Sequence, residues 1–408
     1  MLPAVITSRT ATSIHDVIVV GGGPAGLYAA SQLSQRGWDV ALLEEHQSPG
    51  EPVHCTGVFA ADAFDELGIP RDAVLNSLSH VRFFSPSGST VSYTTPDVEA
   101  LVIDRRQFDE QLHLDAVAKG VSIVSGSRVS DVVVDEKGVT VSCPPHTFRA
   151  RACVLACGAN YVLQRRLGLG MPSVFLQSAQ VEWPAAPLDS VEVHFGDAVA
   201  PKGFAWMVPV RRGGTSYARI GLMCDAHARR YFRQFVEQIK GRWGIAGLLE
   251  TAAPALPRLK MLPLAPIART YSSRILAVGD AAGLVKATTG GGIYYSLVSA
   301  KLAAQVLSEG LRSDRLEAVA LAEYQRLWQR QLGTELEAQL SLRLLANQLT
   351  DAEIDELFEL ARTDGIMPIV RRTARFNQHR NLIVSLFKHP PARRILFRRL
   401  TAWRAAAL

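Results

Sequence analysis

A chain of 408 residues, 48% apolar and 20% charged, is long enough to bury one large core or two joined ones. No stretch approaches the roughly 18 consecutive apolar residues of a membrane span. Five cysteines without a Cys-x-x-Cys pair argue against a disulfide framework and a metal site, and predict reduced thiols in a cytoplasmic protein.

The net charge of +6 is unevenly spread. Ten Lys and Arg follow Asp364, the last acid, and without them the chain would carry −4. They alternate with Ile383, Leu386, Phe387, Ile395, Leu396, Phe397, Leu400 and Trp403. A basic amphipathic helix of this kind suits the inner face of an anionic membrane, as a peripheral contact. It equally suits a terminal helix docked on the core with a solvated basic face. No nucleic-acid motif accompanies the charge, so no nucleic-acid partner is expected. At the other end, residues 1–15 lack a basic start followed by an apolar run, so no signal peptide is expected.

In chain order, the first predicted element is a strand at Asp16–Val20, short and valine-rich. Helical spacing follows from Pro24 to about Arg36, with Gly37 closing the helix. A second strand covers Val40–Leu43 and ends at Glu44. Gly21-x-Gly23-x-x-Gly26 occupies the strand-to-helix turn. Gly21 allows the tight turn, Gly23 the approach of a pyrophosphate, and Gly26 close packing of helix on strand. Ala25 lies in the same turn. The helix N-terminus offers unpaired N–H groups and a partial positive charge to the phosphates. Glu44, about 20 residues on, is placed to accept from ribose hydroxyls. With strand, helix, second strand and acid in register, the pattern predicts a bound dinucleotide.

A helix from about Gln107 to Lys119 and a strand at Val121–Val124 come next. Arg105 at the helix entrance is a candidate for the cofactor's phosphates or linker. Val129 would present backbone to the adenine if this strand lies beside the first. Residues 149–169 read as a returning strand, Gly158 and a helix. Strands at 174–183, 190–196, 203–210 and 215–222, then a helix near 227–240, predict an antiparallel substrate sheet.

Arg274–Val278 is another buried strand, with Asp280 at its C-terminal end, where ligands bind in open α/β sheets. Gly290, Gly291 and Gly292 then open a helix, Ile293–Leu307. Two glycine-lined helix N-termini about 265 residues apart on one sheet imply a cofactor longer than a single nucleotide site needs. FAD fits, with pyrophosphate and ribose at the first and the flavin at the second. A long helix over 316–346 and a shorter one over 351–363 lead to the basic tail.

The ordered set GxGxxG, DRRQFDEQL (104–112), ACGANYVLQRRLGL (156–169) and VGDAAG (278–283) resembles FAD-dependent oxidoreductases of the para-hydroxybenzoate hydroxylase fold class. GEPVHCTG (50–57), GFAWMVP (203–209) and TTGGGI (288–293) narrow the likeness. They resemble the PxxC loop, aromatic-x-Trp-x-x-Pro motif and TGGGI helix start of the geranylgeranyl reductase family. Phe204 and Val208 depart from its commoner tyrosine and phenylalanine.

That resemblance implies an α/β fold: an FAD-binding Rossmann-like domain (1–168 and 258–310), an inserted antiparallel-sheet substrate domain (169–257) and a helical C-terminal region (311–408). It implies FAD contacts at Ala25, Glu44, Cys55, Thr56, Arg105, Val129, Asp280, Gly292 and Ile293. The implied activity is saturation of isoprenoid double bonds in a prenyl or lipid substrate. Reducing an isolated alkene takes a hydride and a proton. Cys55 is the candidate proton donor, or merely shapes the pocket, with His54 its rival. Trp206 either lines an apolar tunnel and steadies positive charge through its ring or is a core tryptophan.

No second GxGxxG appears, so the electron donor is transient NAD(P)H or a ferredoxin-like partner. Two rivals share the fold: a flavin monooxygenase, which usually has His after GDAA where Gly283 stands, and a membrane quinone-reducing electron-transfer flavoprotein. The absence of cysteine after Cys224 excludes a built-in iron–sulfur relay of the second kind.

Overall fold

In a computed structural model, residues 14–241, 256–363 and 365–406 are described, with side chains of the last helix as far as Arg398. The start of the chain and the side chains of Arg399, Leu400, Trp403 and Arg404 lie outside the described residues. The fold is mixed α/β, and the described chain divides into two compact units.

The first unit runs through Val53 and includes 105–174 and 263–334. Its eight-stranded sheet has the spatial order Tyr271–Ser272, Ile275–Ala277, His146–Leu155, Ile14–Val20, Val40–Leu43, Ser122–Val124. Gly138–Cys143 and Asp131–Asp135 extend it as antiparallel strands on His146–Leu155. Four of the five pairings along this path are parallel, and the fifth, Tyr271–Ser272 on Ile275–Ala277, is antiparallel. Val17, Ile18 and Val19 are wholly buried, as strands covered on both faces require. Helix Pro24–Ser34 packs on helices Arg105–Ala118 and Ile293–Arg312.

The second unit comprises 54–104, 175–262 and the described residues from 335. Its main sheet has seven strands, ordered Arg258–Pro263, Phe175–Pro184, Thr215–Cys224, Phe204–Arg212, Val191–His194, His80–Phe84, Thr90–Thr94. Helix Ala228–Ile239 covers one face through Phe232, Phe235, Val236 and Ile239, a helical spacing that makes one apolar stripe. A three-stranded sheet, Val58–Ala60, Ala100–Ile103 and Val74–Leu78, completes it.

These units divide the chain differently from the sequence reading. Residues 54–104, read with the nucleotide domain, lie in the second unit because His80–Phe84 pairs with Val191–His194. That pairing is parallel, so the substrate sheet is mixed and not wholly antiparallel. Residues 311–334, read with the helical end, lie in the first.

Strand Ser122–Val124 lies beside Val40–Leu43, not beside the first strand, and Val129 falls in the loop after it. The condition attached to Val129 therefore fails. The helix after the triple glycine continues to Arg312, past the expected stop. Gly310 lies within the helix, where an added Cβ would lie 2.8 Å from the Arg315 carbonyl oxygen, so glycine admits the returning chain. The long helix is interrupted, Ala318–Trp328 passing through a π turn, Gln329–Gly333, into Thr334–Ala346.

The tail is docked. Ile383, Ile395 and Leu396 are buried in the second unit, while Arg371, Arg372, Arg380, Lys388, Arg393 and Arg394 are exposed. Arg375 pairs with Glu99 at 3.7 Å and Arg398 with Glu356 at 2.6 Å. The other six make no ion pair among the described residues. Ile383, Ile395 and Leu396 of the apolar stripe are thus spent on folding, Leu386, Phe387 and Phe397 are half-buried, and the six basic side chains face outward. Among the described residues, no helix is long and apolar enough to cross a membrane.

Candidate functional site

In the first unit, parallel pairing brings the C-terminal ends of four strands together. Gly21 N–H donates to the Leu43 carbonyl at 2.8 Å, Ala156 N–H to that of Val20 at 2.8 Å, and Val278 N–H to that of Leu155 at 3.0 Å. Gly21, Glu44, Ala156 and Asp280 are therefore assembled at one edge.

Each glycine of the first turn has its own reason. Gly21 adopts φ +106°, and a Cβ there would lie 2.4 Å from the Ala156 oxygen. At Gly26 it would lie 1.9 Å from the Gly21 oxygen. Gly22, outside the motif as read, leaves room for the Glu44 side chain, which a Cβ would meet at 3.0 Å. Gly23 differs, since a Cβ there would meet nothing within 4 Å. The protein itself leaves the space before Gly23 open, as an approaching pyrophosphate requires. No side chain caps this helix and its first turn has no acid, so its N–H groups remain suited to an anion.

Glu44 is held by its own turn. Its Oε2 accepts from Gly22 N–H at 2.5 Å, and its Oε1 from His46 N–H at 2.9 Å. Each carboxylate oxygen can accept more than one donor, so Oε2 retains capacity for a ribose hydroxyl.

At the second turn, Gly292 has no room for a Cβ, which would lie 2.8 Å from Asp280 Oδ1. Gly290 has φ +72° and donates to the Lys286 carbonyl at 2.8 Å, while Lys286 N–H donates to that of Gly291 at 3.0 Å. Helix Ile293–Arg312 also lacks a side-chain cap and an acid in its first turn. Tyr295 is buried and Tyr294 half-buried, their rings 5.8 Å apart. Gly283 (φ +70°) is steric too: a Cβ would lie 2.1 Å from the Ala265 oxygen. The glycine where hydroxylases usually carry histidine is thus a packing requirement here.

Sequence reading missed the clip between these loops. Tyr161 Oη donates to the Asp280 carbonyl, and the fully buried Gln164 donates through Nε2 to that of Ala281 at 3.1 Å. Both stand in the ANYVLQRR segment, whose short helix Val162–Arg166 gives little periodic signal. Cys157 sits beside Gln164, and burial pushes its thiol up to about 11, so it stays protonated. Arg105, expected toward the cofactor, forks onto Asp109, with Nη2 at 2.9 Å from both carboxylate oxygens.

Cys55, Thr56 and Trp206 belong to the second unit. Cys55 is half-buried in a loop, its Sγ accepting from Gly57 N–H at 3.3 Å. Thr56 Oγ1 donates to Gln180 Oε1 at 2.5 Å. Trp206 stands opposite Gly221 on the neighbouring strand, its indole filling the space a Cβ would take. Its buried Nε1 has no hydrogen-bond partner among the described residues. Phe204 meets it edge-on at 5.8 Å, and Phe195 links Phe204 to Phe358 at 6.0 Å each.

Beneath the Cys55 loop lies a charged network that the sequence reading also missed. Arg219, 2% exposed, donates from Nε to Glu182 at 2.7 Å and from Nη1 to the carbonyls of Thr56 at 2.5 Å and Ile103 at 3.0 Å. Arg212 joins Glu182 to Asp104. An arginine inside the apolar run ARIGLMC was the available signal. Burial raises the Glu182 carboxyl, but hydrogen bonds and charge from Arg212 and Arg219 outweigh it and hold the group below the usual carboxylate range. A depressed carboxylate stabilises the fold above its unfolded value, and that contribution is lost as pH falls through the depressed one. Glu182→Gln is therefore expected to lower the melting temperature at pH 7, with the deficit shrinking as pH falls from about 4 through the depressed value. A deficit constant from pH 7 to pH 3 would contradict this.

The family model that matches the chain is described as lycopene cyclase protein and covers residues 16–363. Digeranylgeranylglycerophospholipid reductase 2 of Methanothermobacter thermautotrophicus is 28% identical over 84% of this chain and 90% of its own length. Among solved structures, a geranylgeranyl bacteriochlorophyll reductase-like protein from Thermoplasma acidophilum has a TM-score of 0.80 at 21% identity, covering 96% of this chain and 99% of its own. A probable FAD-dependent monooxygenase from Pseudomonas aeruginosa has a TM-score of 0.63 at 16% identity, covering 85% and 100%. At these identities the two structures show the fold alone.

Proposed function

The chain belongs to the family described by the lycopene cyclase protein model, and within it we propose an FAD-dependent reductase that saturates geranylgeranyl-type double bonds of a prenyl lipid. The name of the M. thermautotrophicus relative and the three motifs that resemble geranylgeranyl reductases support this substrate class. The observation that carries the cofactor is the pair of uncapped, glycine-opened helices at one sheet edge, with open space before Gly23.

Ala25 and Gly26 would hold the pyrophosphate through the backbone N–H groups of the helix's first turn, with Gly21 shaping the turn and Gly23 leaving the phosphates room, and Glu44 would hold the ribose. Asp280, Gly290–Gly292 and Ile293 would hold the flavin end. When bound, FAD supplies the hydride that one alkene carbon receives. The proton for the other carbon is assigned to Cys55. Trp206 would steady positive charge on the protonating carbon through its π face. Reducing equivalents come from NAD(P)H bound transiently or from a ferredoxin-like protein.

The test is anaerobic. The flavin is reduced with dithionite, geranylgeranyl diphosphate or a geranylgeranylated glycerophospholipid is added, and mass spectrometry follows the products. Products heavier by two hydrogens per double bond, formed as the flavin reoxidises, are expected. Cys55→Ser should retain flavin and lose roughly 10²-fold in rate. A reduced flavin inert toward prenyl chains that instead hydroxylates an added substrate with oxygen would put the monooxygenase first.

A lipid substrate needs a surface to be drawn from, and the six basic residues without ion pairs are suited to an anionic inner membrane face. Sedimentation with phosphatidylglycerol vesicles at low salt, reversed by about 0.5 M NaCl and absent with phosphatidylcholine, is the expected result. Equal binding to both lipids would remove this part of the proposal.

A further inference from the structure

We propose that Arg219 is a positioning residue that aims Cys55, an inference that rests on the reading of Cys55 as proton donor. Arg219 stands on strand Thr215–Cys224 between apolar neighbours, and a guanidinium so deeply buried must have its donors satisfied. Two of its bonds end on backbone carbonyls, those of Thr56 and Ile103.

The Thr56 carbonyl and the Gly57 N–H are the two ends of one planar trans amide, so they point in opposite directions. Arg219 takes the carbonyl, and the N–H of the same amide donates to Cys55 Sγ at 3.3 Å. The direction of that donor is therefore set by Arg219. Three further restraints hold the amide in place. Ile103 N–H donates to the Gly57 carbonyl at 2.8 Å, Thr56 Oγ1 to Gln180, and Glu182 fixes the guanidinium itself. A cation on the carbonyl also polarises the amide and strengthens its N–H as a donor.

With Gly57 occupying a lone pair of the sulfur, the thiol hydrogen is turned away from its own loop and is free to be given. In the step, the S–H bond breaks and a C–H bond forms at one alkene carbon. The other carbon receives hydride, with both electrons, from the reduced cofactor, which is oxidised. The sulfur keeps the S–H pair, and Gly57 N–H steadies that charge until solvent returns a proton.

The experiment compares Arg219→Gln, Arg219→Lys, Cys55→Ser and the double variants in flavin-loaded, full-length protein. Hydrogen exchange of the backbone at 55–58, followed by mass spectrometry, reads the amide directly and needs no turnover. Arg219→Gln is expected to speed exchange at Gly57 at least tenfold, to lower kcat about tenfold or more, and to leave KM within twofold. Adding Cys55→Ser to Arg219→Gln should lower kcat no further than Cys55→Ser alone, because both act through one sulfur. Arg219→Lys should recover part of the protection, and it carries the comparison if the glutamine variant does not fold. Losses that multiply, or unchanged exchange at Gly57, would overturn the proposal. A parent protein that reduces no prenyl chain refutes the functional reading instead, while the exchange result still decides the clamp.

Discussion

Gly26→Ala is expected to yield protein without flavin. A Cβ at position 26 would lie 1.9 Å from the Gly21 oxygen and 3.1 Å from Ala156 Cβ, both fixed by the sheet edge. Neither neighbour is a flexible side-chain end, so the helix must move off the strand and take its N–H groups with it. Overpacking of this kind costs roughly 1–3 kcal/mol or more. The expected signature is a lower melting temperature together with loss of the flavin absorbance band. Gly23→Ala is the control, since its Cβ meets no protein atom. That variant should melt with the parent yet bind FAD at least about tenfold more weakly, roughly 1.4 kcal/mol. Full flavin occupancy in Gly26→Ala would show that the cofactor is held elsewhere.

Gly221→Ala is expected to produce the opposite phenotype, with flavin retained and prenyl reduction lost. The added Cβ would stand 2.5 Å and 2.6 Å from two carbons of the Trp206 indole, and 2.9 Å from the Ala179 oxygen. The ring must swing away, and Phe204, packed edge-on against it, follows. About 1–3 kcal/mol of stability should be lost. The rate of alkene reduction should fall by about 10² if the indole steadies a protonating carbon. Trp206→Phe, which keeps a π face in a smaller ring, should lose less. A Gly221→Ala protein with parental turnover would return Trp206 to the status of a core residue.

The contrast between these two variants follows how legibly each region was written. Gly21, Gly23, Gly26 and Glu44 lie within one strand–turn–helix–strand unit, and each answers a steric or hydrogen-bonding demand made by near neighbours in sequence. Residues 290–293 follow the same local logic. Phe204 and Trp206, by contrast, were legible only through a resemblance, and the ring ladder to Phe195 and Phe358 joins residues far apart in the chain. Arg105 shows the limit of position: its place at a helix entrance was read correctly, yet Asp109 four residues on takes its fork.

Local sequence was enough to specify a dinucleotide turn after the first strand, a second glycine turn after a buried strand, and an antiparallel run of strands between them. Those features are periodic and short-range, and glycine stands where a Cβ would collide. Long-range packing set the rest: His80–Phe84 joins the second sheet, Val129 falls in a loop one strand removed, Ile383, Ile395 and Leu396 of the tail are buried, and Arg219 grips the peptide beside Cys55. Each is a choice of partner across a long separation. Residue type announces that a buried guanidinium or an unpaired strand needs a partner, but the folded backbone alone determines which one is within reach.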